Sequence, residues 1–398
     1  MTLRDELHEK ISQAVKELAG SLGVPDFSVD PPENSEHGDY TTNVALMLAK
    51  PLEKPPMEIA GDLVKALADL SAEAGERWDV SVASPGFLNF TLRDETLVFA
   101  LQDIADTGDA FGTSDTGTGK TVLVEYFQLN IAKRPHVGHL RSAVIGDALK
   151  RIFLSQGYTA VSDTHVGDWG TQFGILLLGY KEFQTEHAKK EIEGDPFVFL
   201  EDIYQKENTK IEADPERREL AKEEFAKLER GDKENRKVWE WMVDVSMKKL
   251  KESAERLGLL PFDEHKGESS YEKDMPLIVE KALQKNIATH KEDGAGGVDR
   301  TSEKLDEAVL IKSDGASTYL LRDLATIKYR QEKWKFFLNL YVVDVRQSHH
   351  FRQLFRVAEL LGLEWAKDNA PVPYGGTKGI QTNDYEAMRI ENTDPQPF

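Results

Sequence analysis

The chain has 398 residues, room for two or three domains, because a single core rarely grows past about 250 to 300 residues. Hydrophobic residues at 40% and aromatics at 9% fit a globular protein, and the absence of cysteine excludes disulfides, thiol catalysis and cysteine-ligated zinc. A net charge of −20 excludes the broad basic face of a nonspecific nucleic-acid binder, so any RNA contact must come from a local patch.

The N-terminal "MTLRDELHEKISQAVKELAG" carries both charge signs and lacks an apolar core with a cleavage site, so it does not read as a signal peptide. No run of about 18 apolar residues suggests a membrane span. A soluble cytoplasmic monomer without membrane contact is expected.

Helical periodicity fills 2–22, 41–50 and 58–74, and "DVSVASPGFLNFTL" alternates like two strands around a turn at Pro85–Gly86. Residues 1–108 therefore read as a small α+β domain. The Gly-rich "FGTSDTGTGKT" ends in Gly119-Lys120-Thr121 like a phosphate-binding loop, but Ser114 stands where that motif needs glycine, and a strand follows instead of a helix. It reads as a solvated linker.

From residue 121 the pattern is strand ("TVLVEYF"), loop ("QLNIAKRP"), helix ("HVGHLRSAVIGDALKRIFLSQG") and strand ("TAVSDTHV"), which makes a βαβ unit. Residues 181–257 are charge-dense and helical and read as an insertion. The sheet is expected to resume near 305 with "EAVLIKS" and then "FFLNLYVVDV", each followed by a helix. The fold class is thus α/β: a doubly wound, Rossmann-type parallel-sheet catalytic domain over 120–376 with a helical insertion at about 181–257, preceded by the α+β domain and followed by an irregular tail, 377–398.

The stretch "NIAKRPHVGHLRS", residues 130–142, falls where the first strand of that sheet ends and a helix begins. Unpaired N–H groups and the positive end of the helix dipole attract anions there. His136 and His139 are three apart and face one side of the first turn, so each can donate to a phosphate oxygen. Gly138 removes a side chain where a flat base could approach the backbone.

In this position "HVGH" resembles the "HIGH" signature of class I aminoacyl-tRNA synthetases. "NIAKRPHVGHLRSAVIGDAL" followed by "HVGDWGTQFG" resembles arginyl-tRNA synthetases more specifically. "HGDYTTNVALMLAK", "SPGFLNFTL", "GESSY", "DGASTYLLRDLATIKYR" and "VVDVRQSHHFRQLFRVAELLG" are similar to further segments of that family in the same order. A guanidinium substrate needs carboxylates and planar acceptors, and the chain offers Glu125, Glu268, Tyr319, Asp323 and Gln347, with Tyr319 and Asp323 four apart on one helix face.

The resemblance implies that Glu125, Asn130, His139, Glu268, Tyr319, Asp323 and Gln347 bind arginine, that His136, Gly138 and His139 bind ATP, and that Lys133 joins the two histidines in catalysis. It places Asp168 and Gln172 at the active-site mouth. It implies an arginine-tRNA ligase, which activates arginine with ATP and Mg2+ and transfers it to tRNA(Arg), with no tightly bound cofactor and with tRNA contact by residues 1–108. The family pattern also implies a K-M-S-K-like loop and an anticodon-binding domain after "PVPYGG", where this sequence reads "TKGIQTNDYEAMRIENTDPQPF"; its usual "SSPN" reads "FQLN" at 127–130. A C-terminally truncated synthetase that binds arginine and ATP but charges tRNA weakly or not at all is expected. The alternatives are another class I synthetase and a catalytically impaired fragment with an RNA-binding or regulatory role.

Overall fold

The computed structural model describes residues 3–71, 77–183, 192–290, 296–298, 308–313 and 317–375; the tail expected over 377–398 lies outside the described residues. Contacts divide the chain into two compact units, Met1–Gly112 and Thr113–Phe398.

In the first unit, helices α1 (Leu3–Ala19), α2 (Val44–Leu52) and α3 (Pro56–Ser71) accompany a three-stranded antiparallel sheet of β1 (Tyr40–Thr42), β2 (Trp78–Ala83) and β3 (Phe87–Leu92), in the order β1-β3-β2. Helical spacing on α1 aligns Leu7, Ile11, Ala14 and Val15 into a buried stripe, which meets Leu63 and Leu67 of α3 and Leu88 and Phe90 of β3 in one core. Thr41 and Thr42, inside the stretch read as helical from 41, are strand residues because they pair with Asn89 and Leu88. A fourth helix, α4 (Asp94–Thr107), was not foreseen: only Thr96 is buried on it, so no core-facing period marked it.

The second unit is built on a four-stranded parallel sheet of β4 (Thr121–Glu125), β5 (Thr159–Asp163), β9 (Leu338–Asp344) and β10 (Asn369–Tyr374), in the order β10-β9-β4-β5. Helix α5 (Val137–Ser155) crosses from β4 to its neighbour β5. The chain later returns to β9 on the other side of β4, so the strand order reverses between β4 and β9, the position where open α/β sheets form a crevice at the carboxyl ends of their strands.

Four differences from the sequence reading bear on the site. Strand β8 (Ala308–Ile311), from "EAVLIKS", belongs to a separate antiparallel sheet with β6 (Thr289–His290) and β7 (Gly296–Val298); a short apolar run carries no mark of parallel or antiparallel pairing. Secondly, residues 114–120 are mostly exposed, as a solvated linker would be, but are also tied to the end of α5. Ser114 N donates to Ser155 O, Gly117 N donates to Gln156 O, and the Lys120 ammonium lies 5.1 Å from the Phe337 ring centroid.

Thirdly, the charge-dense segment does more than present a solvated face. After α6 (Thr171–Glu182) come α7 (Pro196–Ala213), α8 (Glu216–Glu229) and α9 (Lys233–Arg256), whose Phe199, Leu200, Phe225, Leu228, Trp239 and Met242 share one hydrophobic core with Val122 and Val124 of β4. Many of their charges sit on the outer faces, for example Lys222–Glu219 and Arg236–Glu240, while Glu201, Glu207 and Glu224 are buried and paired with Arg134, Arg217 and Lys181. Finally, "TAVSDTHV" stops being a strand at Asp163, and His165 turns to φ +40°. A second core packs α10 (Met275–Gln284), α11 (Tyr319–Trp334) and α12 (Ser348–Leu360) against β8 and β9.

Candidate active site

Helix α5 follows β4 after the loop 126–136, and its first turn is a reciprocal cap. His136, at the N-cap, accepts the Gly138 N–H on Nδ1 at 3.1 Å, and His139 accepts the His136 N–H on its own Nδ1 at 3.2 Å. The rings stand 3.9 Å apart. With both Nδ1 atoms accepting, a neutral ring carries its proton on Nε2, so each histidine holds a donor on the side away from the cap. Burial, then the charges of His136 and Lys133, lower the His139 pKa to about 3, so this ring is neutral near pH 7.

Gly138 has a different local reason from the one expected. A Cβ there would lie 2.9 Å from Cε1 of His136, so the missing side chain makes room for the histidine that caps the helix. Glycine at 167 likewise makes room for Asn130, whose Oδ1 would lie 2.2 Å from a Cβ.

These groups form one end of an open cavity of about 710 Å³, lined also by Glu125, Asn130, Glu268, Tyr319, Asp323 and Gln347. The structure therefore brings together every residue named above for arginine and ATP. Their strand and helix ends explain it: Glu125 ends β4, Tyr319 opens α11 under the Thr318 cap, Asp323 follows one turn on, and Gln347 precedes α12.

The three carboxylates are not equivalent. Glu125 pairs at 2.5 Å with Arg330, which also donates to Asp163 at 2.7 Å and has no exposed side-chain surface. Glu268 accepts from Arg322 at 2.8 Å, and burial outweighs that cation and His165 to raise its carboxyl above the ordinary value. Asp323 has no arginine partner among the described residues; it meets His350 Nε2 at 2.6 Å and His165 Nε2 at 3.4 Å. Burial alone would raise its pKa, but hydrogen bonds and charge from the two imidazoles hold it far below the usual carboxylate range.

Three expected residues lie off this cavity. Lys133 lines an adjoining space of about 480 Å³, which shares His136 and His139 as its wall, with its ammonium 5.7 Å from the Tyr204 ring centroid. Asp168 and Gln172 do not line the mouth. Asp168 is buried and accepts from Ser269 N and Oγ at 2.9 and 2.6 Å, fastening the segment that bears Glu268, while Gln172 donates to Gly167 O at 3.0 Å.

A protein-family comparison decides what this crevice belongs to: the model "tRNA synthetases class I (R), catalytic domain" matches residues 102–379, and "Arginyl tRNA synthetase N terminal domain" matches 5–92. The chain belongs to the class I arginyl-type tRNA synthetases. It is 37% identical over 359 residues to an arginine–tRNA ligase of Chloroflexus aggregans, covering 89% of this chain and 60% of the relative, and 35% identical over 389 residues to one of Lactococcus lactis, covering 96% and 67%. It thus spans about 60 to 67% of the length of these relatives. Its fold is like that of an arginyl-tRNA synthetase from Plasmodium falciparum, with TM-score 0.70 and 22% identity over 94% of this chain and 65% of that one. The Thermus thermophilus arginyl-tRNA synthetase gives TM-score 0.61 and 23% identity over 94% and 66%. Among the described residues no helix is long and apolar enough to cross a membrane.

Within this synthetase, residues unforeseen from the sequence hold the acidic end in place: Arg330, Asp163, Arg322, His165 and His350. The last two stand inside segments that carried the family resemblance, "HVGDWGTQFG" and "VVDVRQSHHFRQLF", and a histidine next to such a motif was the available signal. Arg322 and Arg330 likewise stand inside "DGASTYLLRDLATIKYR", but nothing in that segment names the carboxylates Arg330 meets, which lie far earlier in the chain.

Proposed function

We propose that this protein is an arginine–tRNA ligase, which activates L-arginine with ATP to arginyl-adenylate and transfers it to tRNA(Arg). One observation carries the reading: a single cavity has imidazole Nε2 atoms at a helix N-terminus at one end and, at the other, Asp323, the one carboxylate among Glu125, Glu268, Asp323 and Asp344 that no arginine side chain of the described residues pairs with. The guanidinium pairs with Asp323 beneath Tyr319, with Glu268, Glu125 and Gln347 around it. Asn130 and His139 hold the amino-acid end near the phosphates. The arginine carboxylate then attacks the α-phosphorus of ATP, supplied as its Mg2+ complex, and pyrophosphate leaves.

His136, His139 and the α5 N-terminus stabilise the charge that develops on the phosphate oxygens; positioning and electrostatics suffice, with no covalent enzyme intermediate. Lys133 adds positive charge from the adjoining space, and Gly138 contributes by letting His136 cap the helix. A terminal ribose hydroxyl of the tRNA next takes the arginyl group from the adenylate, releasing AMP. Residues 1–108 contribute to tRNA contact, Asp168 and Gln172 support the cavity from behind, and the protein works as a cytoplasmic monomer.

The test is isotope exchange between pyrophosphate and ATP with the purified protein, tRNA and one amino acid at a time. Exchange with arginine and none with lysine or leucine is expected. Exchange driven by a small apolar amino acid instead would remove the guanidinium assignment, and none with any amino acid would remove the ligase assignment.

A further inference from the structure

The carboxylate offered to the substrate has an imidazole against each of its oxygens. His350 reaches Oδ2 of Asp323 at 2.6 Å and His165 reaches Oδ1 at 3.4 Å, from two different elements. A guanidinium that binds a carboxylate side-on needs both oxygens along one edge. With an imidazole already on each oxygen, a side-on guanidinium brings a further positive charge to the same carboxylate, beside that of His350.

We propose that arginine reaches Asp323 by cation exchange: the guanidinium displaces His350 from Oδ2 and the imidazolium gives its proton to solvent, which makes His350 a positioning residue that keeps the empty carboxylate charged and aimed. The inference rests on the arginine reading given above. A buried carboxylate with no partner would take up a proton and lose its attraction for a cation. The two histidines prevent this while the site is empty. When the guanidinium arrives, two cations compete for one carboxylate, and only the imidazole can shed its charge, since a guanidinium does not deprotonate.

The surroundings decide which imidazole yields. His165 is almost buried and lies near Glu125 as well as Asp323; burial opposes its charge, but these carboxylates raise it to about 9, so it keeps its proton at neutral pH. Its backbone is held at φ +40°, a strained setting for a histidine, and its Nδ1 has no hydrogen-bond partner, so its position is imposed by the fold. His350 has 31% of its side chain exposed, an outlet for the proton, and Asp323 raises its pKa above 6.5 against the opposing effect of burial.

The other charged groups at this end are balanced. Glu125 of β4 is paired with Arg330 and Glu268 with Arg322. Tyr341 of β9 is pushed far up by burial and stays neutral. On the segment leading into α12, Arg346 pairs with Asp344 at 2.8 Å. His350 is therefore the group whose titration the incoming cation changes.

The sign follows. His350 has a raised pKa in the free protein and a lower one beside bound guanidinium, so binding releases a proton between the two values and affinity rises with pH there, by up to about tenfold per pH unit for one proton. Isothermal titration of the whole chain with L-arginine, in phosphate and in Tris between pH 6 and 8, measures both affinity and released protons. Up to one proton released per arginine, with an affinity that rises with pH, is expected. L-citrulline, the neutral analogue of the same shape, should release none. His350→Gln, which can still donate to Oδ2 but does not titrate, should bind arginine with an affinity that no longer changes over this range.

Arginine binding by wild type without proton release, an equal release with citrulline, or an unchanged pH slope in His350→Gln overturns this inference and leaves the arginine assignment standing. Absence of arginine binding by the folded wild type overturns both. The buffer comparison needs only wild type, so a variant that does not fold leaves the outcome decided.

Discussion

His136 and His139 serve two ends at once, since the Nδ1 bonds that cap α5 also fix which nitrogen of each ring faces the cavity. Replacing either with Ala should slow adenylate formation roughly ten- to a thousand-fold, the scale of one lost preorganised donor, and cost about 0.5 to 2 kcal/mol of stability through the lost cap. Single-turnover adenylate assays alongside urea melts separate the two effects; unchanged adenylate formation in both variants would reject the role. Asp323 supports a sharper expectation. Asp323→Asn keeps the shape and removes the charge, so arginine binding should weaken by about 2 to 4 kcal/mol. Calorimetry that finds equal affinity would place the guanidinium elsewhere.

Arg330 acts between elements, tying α11 to the carboxyl ends of β4 and β5 through Glu125 and Asp163. Arg330→Met leaves two buried carboxylates without their cation and should cost about 3 to 5 kcal/mol at pH 7. The pH dependence has a definite sign. Burial alone would raise Asp163, but Arg330 and His165 bring its folded pKa below 3.8, so wild type holds this contribution above pH 3.8 and loses it as pH falls through the folded value. Without Arg330 the Asp163 carboxyl is raised by burial and takes up a proton sooner, which relieves the variant. The stability gap between wild type and variant should therefore narrow from pH 7 towards pH 4 in urea denaturation; a gap of constant size would show that Arg330 is not what lowers Asp163.

At the scale of the whole molecule, each unit carries its own hydrophobic core, one around Leu7, Ile11, Leu63 and Phe90 and the others around the parallel sheet. Residues 1–112 expressed alone should thus unfold cooperatively, as judged by circular dichroism and dispersed amide resonances. Residues 113–398 should keep arginine affinity within about threefold, because every cavity-lining residue lies there. A collapsed, non-cooperative fragment would show that the small unit depends on the rest. On the proposed function, the charge of −20 means that tRNA attraction must come from local basic groups. Raising salt from 50 to 200 mM should reduce tRNA charging far more than tRNA-saturated pyrophosphate exchange, and equal reductions in both would contradict it.

The sequence by itself determined the βαβ start, the histidine pair at the head of α5, the pairing of Tyr319 with Asp323 and the family, because each is written within a few residues and needs only helical or strand spacing to be read. Only the tertiary structure decided that "EAVLIKS" leaves the parallel sheet, that Asp168 is buried against Ser269 and that Glu125 is claimed by Arg330 while Asp323 is held by His165 and His350. These follow from strand partners and charge partners far apart in the chain. A carboxylate shows its charge in the sequence, but which cation meets it, and so whether it is open to a substrate, is settled by burial and by the fold that brings the two together.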